Sequence, residues 1–86
     1  MNLAFITVNP NDDYQDLETL SGVTFTADKT YVLQVNGQLL ICEAENKPTK
    51  GGFYKTNAEP FQWISTGGKL WVKSLQNAVS TINIAD

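Results

Sequence analysis

The side chains best suited to chemistry are Cys42 and three close carboxylate sets: Asp12-Asp13, Asp16 with Glu18, and Glu43 with Glu45. Histidine is absent from the 86 residues, so neither a serine nor a cysteine nucleophile has an imidazole to activate it within the chain. A zinc site of the His and Cys kind fails as well, because a single thiol is present. What remains is paired-carboxylate chemistry of the glycoside-hydrolase type. Glu43 and Glu45 suit it in one respect, since residues two apart share a strand face. Acids at alternate positions more often mark a wet strand end, and so short a chain offers little wall for a cleft. Calcium is the one metal the remaining oxygen ligands suit, but Asp12, Asp13 and Asp16 do not follow the spacing of a helix–loop–helix calcium loop. The expectation is a non-enzyme with no catalytic residue, no metal and no cofactor.

Charge narrows the partners. The net charge is −3, arginine is missing, and the six lysines are scattered along the chain. Nucleic-acid binders present a basic stripe, rich in the forked guanidinium that grips phosphate. A local patch at Lys47, Lys50 and Lys55 is the nearest approach, and it reads more simply as a solvated loop. The longest apolar runs, such as Leu39-Leu40-Ile41-Cys42, are too short to span a bilayer. Met1-Asn2-Leu3-Ala4-Phe5 lacks the basic start and long apolar core of a secretory signal. The expected product is therefore cytosolic, with neither nucleic acid nor membrane as partner, and the unpaired Cys42 fits that compartment.

These residues must be carried by strands. Runs rich in β-branched and aromatic residues recur at 2–8, 22–27, 30–36, 38–44, 52–56, 61–66, 69–75 and 78–84, and turn residues separate them. Residues 13–21 are the nearest candidate for a helix and read as a short helical turn or an irregular strand. Such spacing predicts an all-β domain over residues 1–86: a small antiparallel β-sandwich or partly open barrel of about seven or eight short strands. A chain of this length buries only about 60–65% of its unfolded surface, so self-association is a natural source of further burial.

Two glycine turns predict hairpins. Asn36-Gly37 is the favoured pair for a two-residue type I′ turn. In that register Tyr31 faces Cys42, Leu33 faces Leu40 and Val35 faces Gln38, which places Cys42 in the core as a small hydrophobe. Val32, Leu39 and Ile41 then occupy the opposite face with Gln34 and Glu43, too apolar a mixture for open solvent. A second hairpin at Gly67-Gly68 puts Phe61, Trp63, Leu70 and Val72 inside and sets Ile64 against Trp71 outside. Either another layer of the chain covers these outer residues, or a second subunit does. The candidate interface is accordingly Val32, Leu39, Ile41, Ile64 and Trp71. Residues 45–52 form the longest polar loop.

Across residues 22–37, GVTFTADKTYVLQVNG, the chain resembles small β-structured virion proteins of tailed bacteriophages, the capsid decoration and accessory head or tail proteins. Similar pieces follow at Glu43-Ala44, Pro48, Gly51-Gly52 and Leu70-Trp71-Val72-Lys73, so that the likeness covers roughly residues 17–84. These are turn-and-strand patterns, and they bring no binding residue with them. The resemblance implies a structural virion protein of a phage or prophage, made in the host cytoplasm. It would assemble as a homo-oligomer and attach to a capsid or tail protein. The alternative is a carbohydrate- or receptor-binding β-sandwich, with Trp71 and Gln62 supplying a stacking ring and an amide.

Overall fold

In the computed structural model, two antiparallel sheets pack face to face. Described are residues 1–10, 13–49, 52–55, 60–74 and 79–86. Asp12, the Lys50-Gly51 part of the long loop, the turn at Gln76-Asn77, and the expected strand ends at Thr56, Leu75 and Ala78 lie outside them. The elements in order are β1 (Asn2–Val8), β2 (Gln15–Asp16), α1 (Leu17–Ser21), β3 (Thr30–Asn36), β4 (Leu39–Ala44), β5 (Phe53–Lys55), β6 (Phe61–Ile64), β7 (Lys69–Ser74) and β8 (Ser80–Ala85). The first sheet runs β1-β8-β3-β6 and the second β2-β7-β4-β5. The fold is therefore the expected small sandwich, and no barrel closes.

Alternation along each strand selects the buried side. Tyr31, Leu33 and Val35 of β3, with Ile82 and Ile84 of β8, point inward from the first sheet. Leu39 and Ile41 of β4, with Leu70 and Val72 of β7, meet them from the second. Val8, Leu17 and Phe25 complete one continuous cluster, and Trp63 and Phe61 pack on its margin. Each large apolar side chain removed from water contributes about 1.5–3 kcal/mol.

Neither expected hairpin forms. β3 pairs with β6 and β8, whereas β4 pairs with β5 and β7, so residues 36–38 carry the chain from one layer to the other. A type I′ turn needs positive φ at both central residues. Gly37 has φ +112°, but Asp28 is the one non-glycine in that region among the described residues, so Asn36 does not satisfy the requirement. The crossing is fastened instead by Ser80. Its Oγ accepts from Gln38 N–H at 3.0 Å and donates to Gln38 C=O at 3.1 Å. Gly37 lies so close that a Cβ there would stand 2.9 Å from Ser80 Cβ and 3.0 Å from its Cα.

The Gly67-Gly68 segment likewise crosses between layers, since β6 belongs to the first sheet and β7 to the second. Ser65 N–H donates to Lys29 C=O at 3.0 Å, and Asp28 N–H donates to Ser65 C=O at 2.7 Å, which ties the crossing to the start of β3.

The strand expected at 22–27 is irregular backbone. Its donors are taken by side chains rather than by a neighbouring strand. Phe25 N–H reaches Glu18 Oε1 at 3.0 Å, and Thr26 N–H reaches the Tyr31 hydroxyl at 2.7 Å. The helical turn at the end of 13–21 does form. Asp16 caps α1 by accepting from Glu18 N–H at 3.1 Å, and Gly22, at φ +77°, ends it with its N–H on Glu18 C=O. α1 packs against β1, β2 and β7 and fills the side of the sandwich between the two sheets.

Candidate functional site

The outward residues of the first sheet form continuous rows across its strands. Phe5 of β1 lies opposite Asn83 of β8, which lies opposite Gln34 of β3. Thr7, Thr81 and Asn36 make a second row on one side of it. Ala85, Val32 and Gln62 make another on the other side, with Thr30 and Ile64 beyond. Phe5 is 66% exposed and Ile64 62%, and Val32 is half-buried between its neighbours. Among the described residues this face carries no charged side chain. At its end stands the ion pair of Lys29 Nζ and Asp86 Oδ2, 2.8 Å apart. That hydrogen bond raises the Lys29 pKa and lowers that of Asp86.

Such a face is chemically specific. Among the described residues it has no acid or base to transfer a proton and no nucleophile with a partner to activate it. Its amides and hydroxyls both donate and accept, and Phe5, Val32, Ala85 and Ile64 give it an apolar part. Covering it costs far less desolvation than covering charges. An apolar and amide centre with ions at the rim is the usual layout of a protein-binding patch.

The outer face of the second sheet has a different character. Lys69, Trp71 and Lys73 project from β7, opposite Ala44, Cys42 and Leu40 of β4. The Trp71 indole N–H donates to Ala44 C=O at 3.0 Å, and Lys69 Nζ sits 5.9 Å from the ring centroid. Lys73 Nζ lies 5.8 Å from the Tyr14 ring, a weak cation–π pair. Tyr14 is buried, which pushes its phenol pKa up. Tyr14, Gln15, Asp16, Thr19, Leu20 and Trp71 line an open recess of about 400 Å³.

The five residues expected at an interface are thus divided among three places. Val32 and Ile64 lie on the outer face of the first sheet, as an exposed contact requires. Trp71 lies on the opposite outer face, where it faces Cys42 in the register and not Ile64. Leu39 and Ile41 are core residues, 0% and 5% exposed, covered by the chain's own first sheet. The expected parity is therefore reversed in β4, and Cys42 is half-buried on the outside instead of in the core. Trp71 and Gln62 project from opposite sides of the sandwich and cannot hold one sugar between them. Phe5 was not singled out by its sequence. The signal was there, since Ala4, Ile6 and Val8 alternate as one apolar side of that strand and leave Phe5 on the other.

The close acids have structural partners. Glu43 Oε2 accepts from the Trp63 indole N–H at 3.0 Å and so joins the two sheets. Asp13 Oδ2 is 2.8 Å from Lys47 Nζ, and that bond, with Tyr14 N–H on the same carboxylate, lowers its pKa. Asp16 and Glu18 are occupied by the α1 cap and by Phe25. Glu43 and Glu45 share an open recess of about 530 Å³ with Thr66, Gly67, Gly68 and Lys69. Among the described residues no helix is long and apolar enough to cross a membrane. Comparison with protein-family models, curated proteins and solved structures returned no match.

Proposed function

We propose that this chain is a non-catalytic binding domain that assembles with copies of itself and docks on a protein surface through the outer face of the β1-β8-β3-β6 sheet. The observation that carries this reading is the charge-free face itself, which spans four strands of a chain whose net charge is −3. Charges elsewhere repel a second copy or demand a complementary partner, whereas this face can be covered by protein with little electrostatic cost. The resemblance to phage head and tail accessory proteins supplies the setting: a virion, with a capsid or tail protein as the surface docked upon. The test is light scattering on the wild type and on Gln34→Lys, which puts a charge at the centre of the face. The expected result is a concentration-dependent mass above the monomer that falls in the variant. A wild-type monomer at high micromolar concentration would overturn self-assembly, and an unchanged variant would show that the centre of this face is not the contact between copies.

A second reading, glycan recognition, is supported by the recess beside Trp71. A half-exposed indole next to Gln15, Asp16 and Thr19 offers a stacking surface with polar neighbours. A tryptophan fluorescence change on adding oligosaccharides, lost in Trp71→Ala, would favour it.

A further inference from the structure

The four edges of the two sheets are treated very differently. β2 and β5 are only two and three residues long, and β6 has four residues and follows Pro60. Short edges and a flanking proline are standard ways to keep an open ladder from pairing with another chain. β1 is the exception. It runs for seven residues, Asn2-Leu3-Ala4-Phe5-Ile6-Thr7-Val8, without a charge or a proline. A register irregularity between Asn2 and Ala4, and Pro10 two residues past its end, are its blunting features. Among the described residues its strand pairing is with β8 alone, and although α1 packs nearby, no backbone hydrogen bond joins the two. An apolar, uncharged stretch of this length left open is the pattern of a strand that another strand completes.

Resting on the self-assembly reading above, we infer that β1 pairs antiparallel with β1 of a second copy about a two-fold axis at Phe5, joining two first sheets into one of eight strands. Three observations select another copy as the occupant. The strand is uncharged, so two copies of a net-negative chain meet there without like charges in contact. Phe5 is the middle residue of β1, so a two-fold axis there sets Ala4 against Ile6 of the second copy on both sides of it, while Leu3, at the register irregularity, packs toward the core. In this register Ala4 and Ile6, which pack toward the core, meet each other, while the two exposed Phe5 rings meet on the outside. The pairing is isologous and closes at two subunits. It also merges two charge-free faces into one continuous surface of twice the width, the surface the proposed docking requires.

The test is backbone hydrogen exchange on the wild type at low and high protein concentration, with light scattering on the same samples. Alternate amides of β1 that point away from β8 are expected to slow by at least about tenfold as the dimer forms. In parallel, Phe5→Cys in a Cys42→Ser background should give a disulfide-linked dimer under mild oxidation, because directly opposed residues place their Cβ atoms about 4.5–5.5 Å apart. Self-association with unchanged β1 exchange would overturn edge pairing and leave the docking face standing as the contact. A wild type that stays monomeric would overturn both. Because the exchange measurement uses the unaltered chain, a poorly folding cysteine variant does not rescue the inference.

Discussion

Replacing Gly37 with alanine should be among the most damaging single-methyl changes in this protein. Two costs combine. At φ +112° a side chain is strained, which typically costs about 1–3 kcal/mol. The new Cβ would also stand 2.9 Å from Ser80 Cβ and 3.0 Å from Ser80 Cα, and overpacking of that kind costs about 1–3 kcal/mol. The expected loss is about 3 kcal/mol, a large part of a total near 5–15 kcal/mol. For a domain of this size it would lower Tm by roughly 12–24 °C. Urea titration followed by the fluorescence of Trp63 and Trp71 measures it. The informative partner is Ser80→Gly, which removes the obstructing side chain but gives up the two bonds to Gln38. If residues 36–38 cross between the sheets against β8, the double variant should be more stable than the sum of the singles by about 1–2 kcal/mol. In a β3–β4 hairpin Gly37 would not touch Ser80, and the two losses would add. Additivity within about 0.5 kcal/mol would therefore refute the crossing.

Leu39→Ala should destabilise the monomer by about 2–5 kcal/mol, because Leu39 is core rather than interface; a shift in oligomer mass without a shift in the urea midpoint would contradict this. Cys42 should react with a small thiol reagent in the native protein at a rate that does not follow urea below the unfolding transition; a rate that tracks unfolding would place it in the core. Asp86 and Asp13 should titrate below 3.8, the ordinary aspartate value, when followed by carboxyl NMR shifts. Since their folded values are lowered, the stability linked to them is present above 3.8 and lost as pH falls through the folded values. Lys29→Met should move Asp86 back up and leave Asp13 in place, and an unmoved Asp86 would show that the pair does not hold it.

The inward sets were legible in β3, β6 and β7, because period-two alternation reports which side of a strand is apolar. Tyr31, Leu33 and Val35 show this plainly. Alternation does not report which strand lies alongside, and here both glycine turns lead across the sandwich rather than back along the same sheet. In β4 the apolar residues run Leu39-Leu40-Ile41-Cys42 without a break, so the face was decided by the assumed turn, and the assumption reversed it. The segment 22–27 has the composition of a strand but its amides are taken by Glu18 and Tyr31, a tertiary arrangement that local composition does not encode. Val32 and Ile64 were recognisable as outward-facing apolar residues. That Phe5, Asn83 and Gln34 lie side by side with them depends on the β1-β8-β3 order, which no local pattern specifies.

The central claim is that the uncharged outer face of the first sheet is where this protein binds protein. Amide and methyl NMR spectra recorded over a concentration series test it most directly. The expected result is that shifts and broadening concentrate on Phe5, Val32, Gln34, Ile64 and Asn83, while Leu39 and Ile41 stay fixed in the core. Changes confined to Cys42, Lys69 and Trp71 on the opposite face, or no change at any concentration, would contradict it.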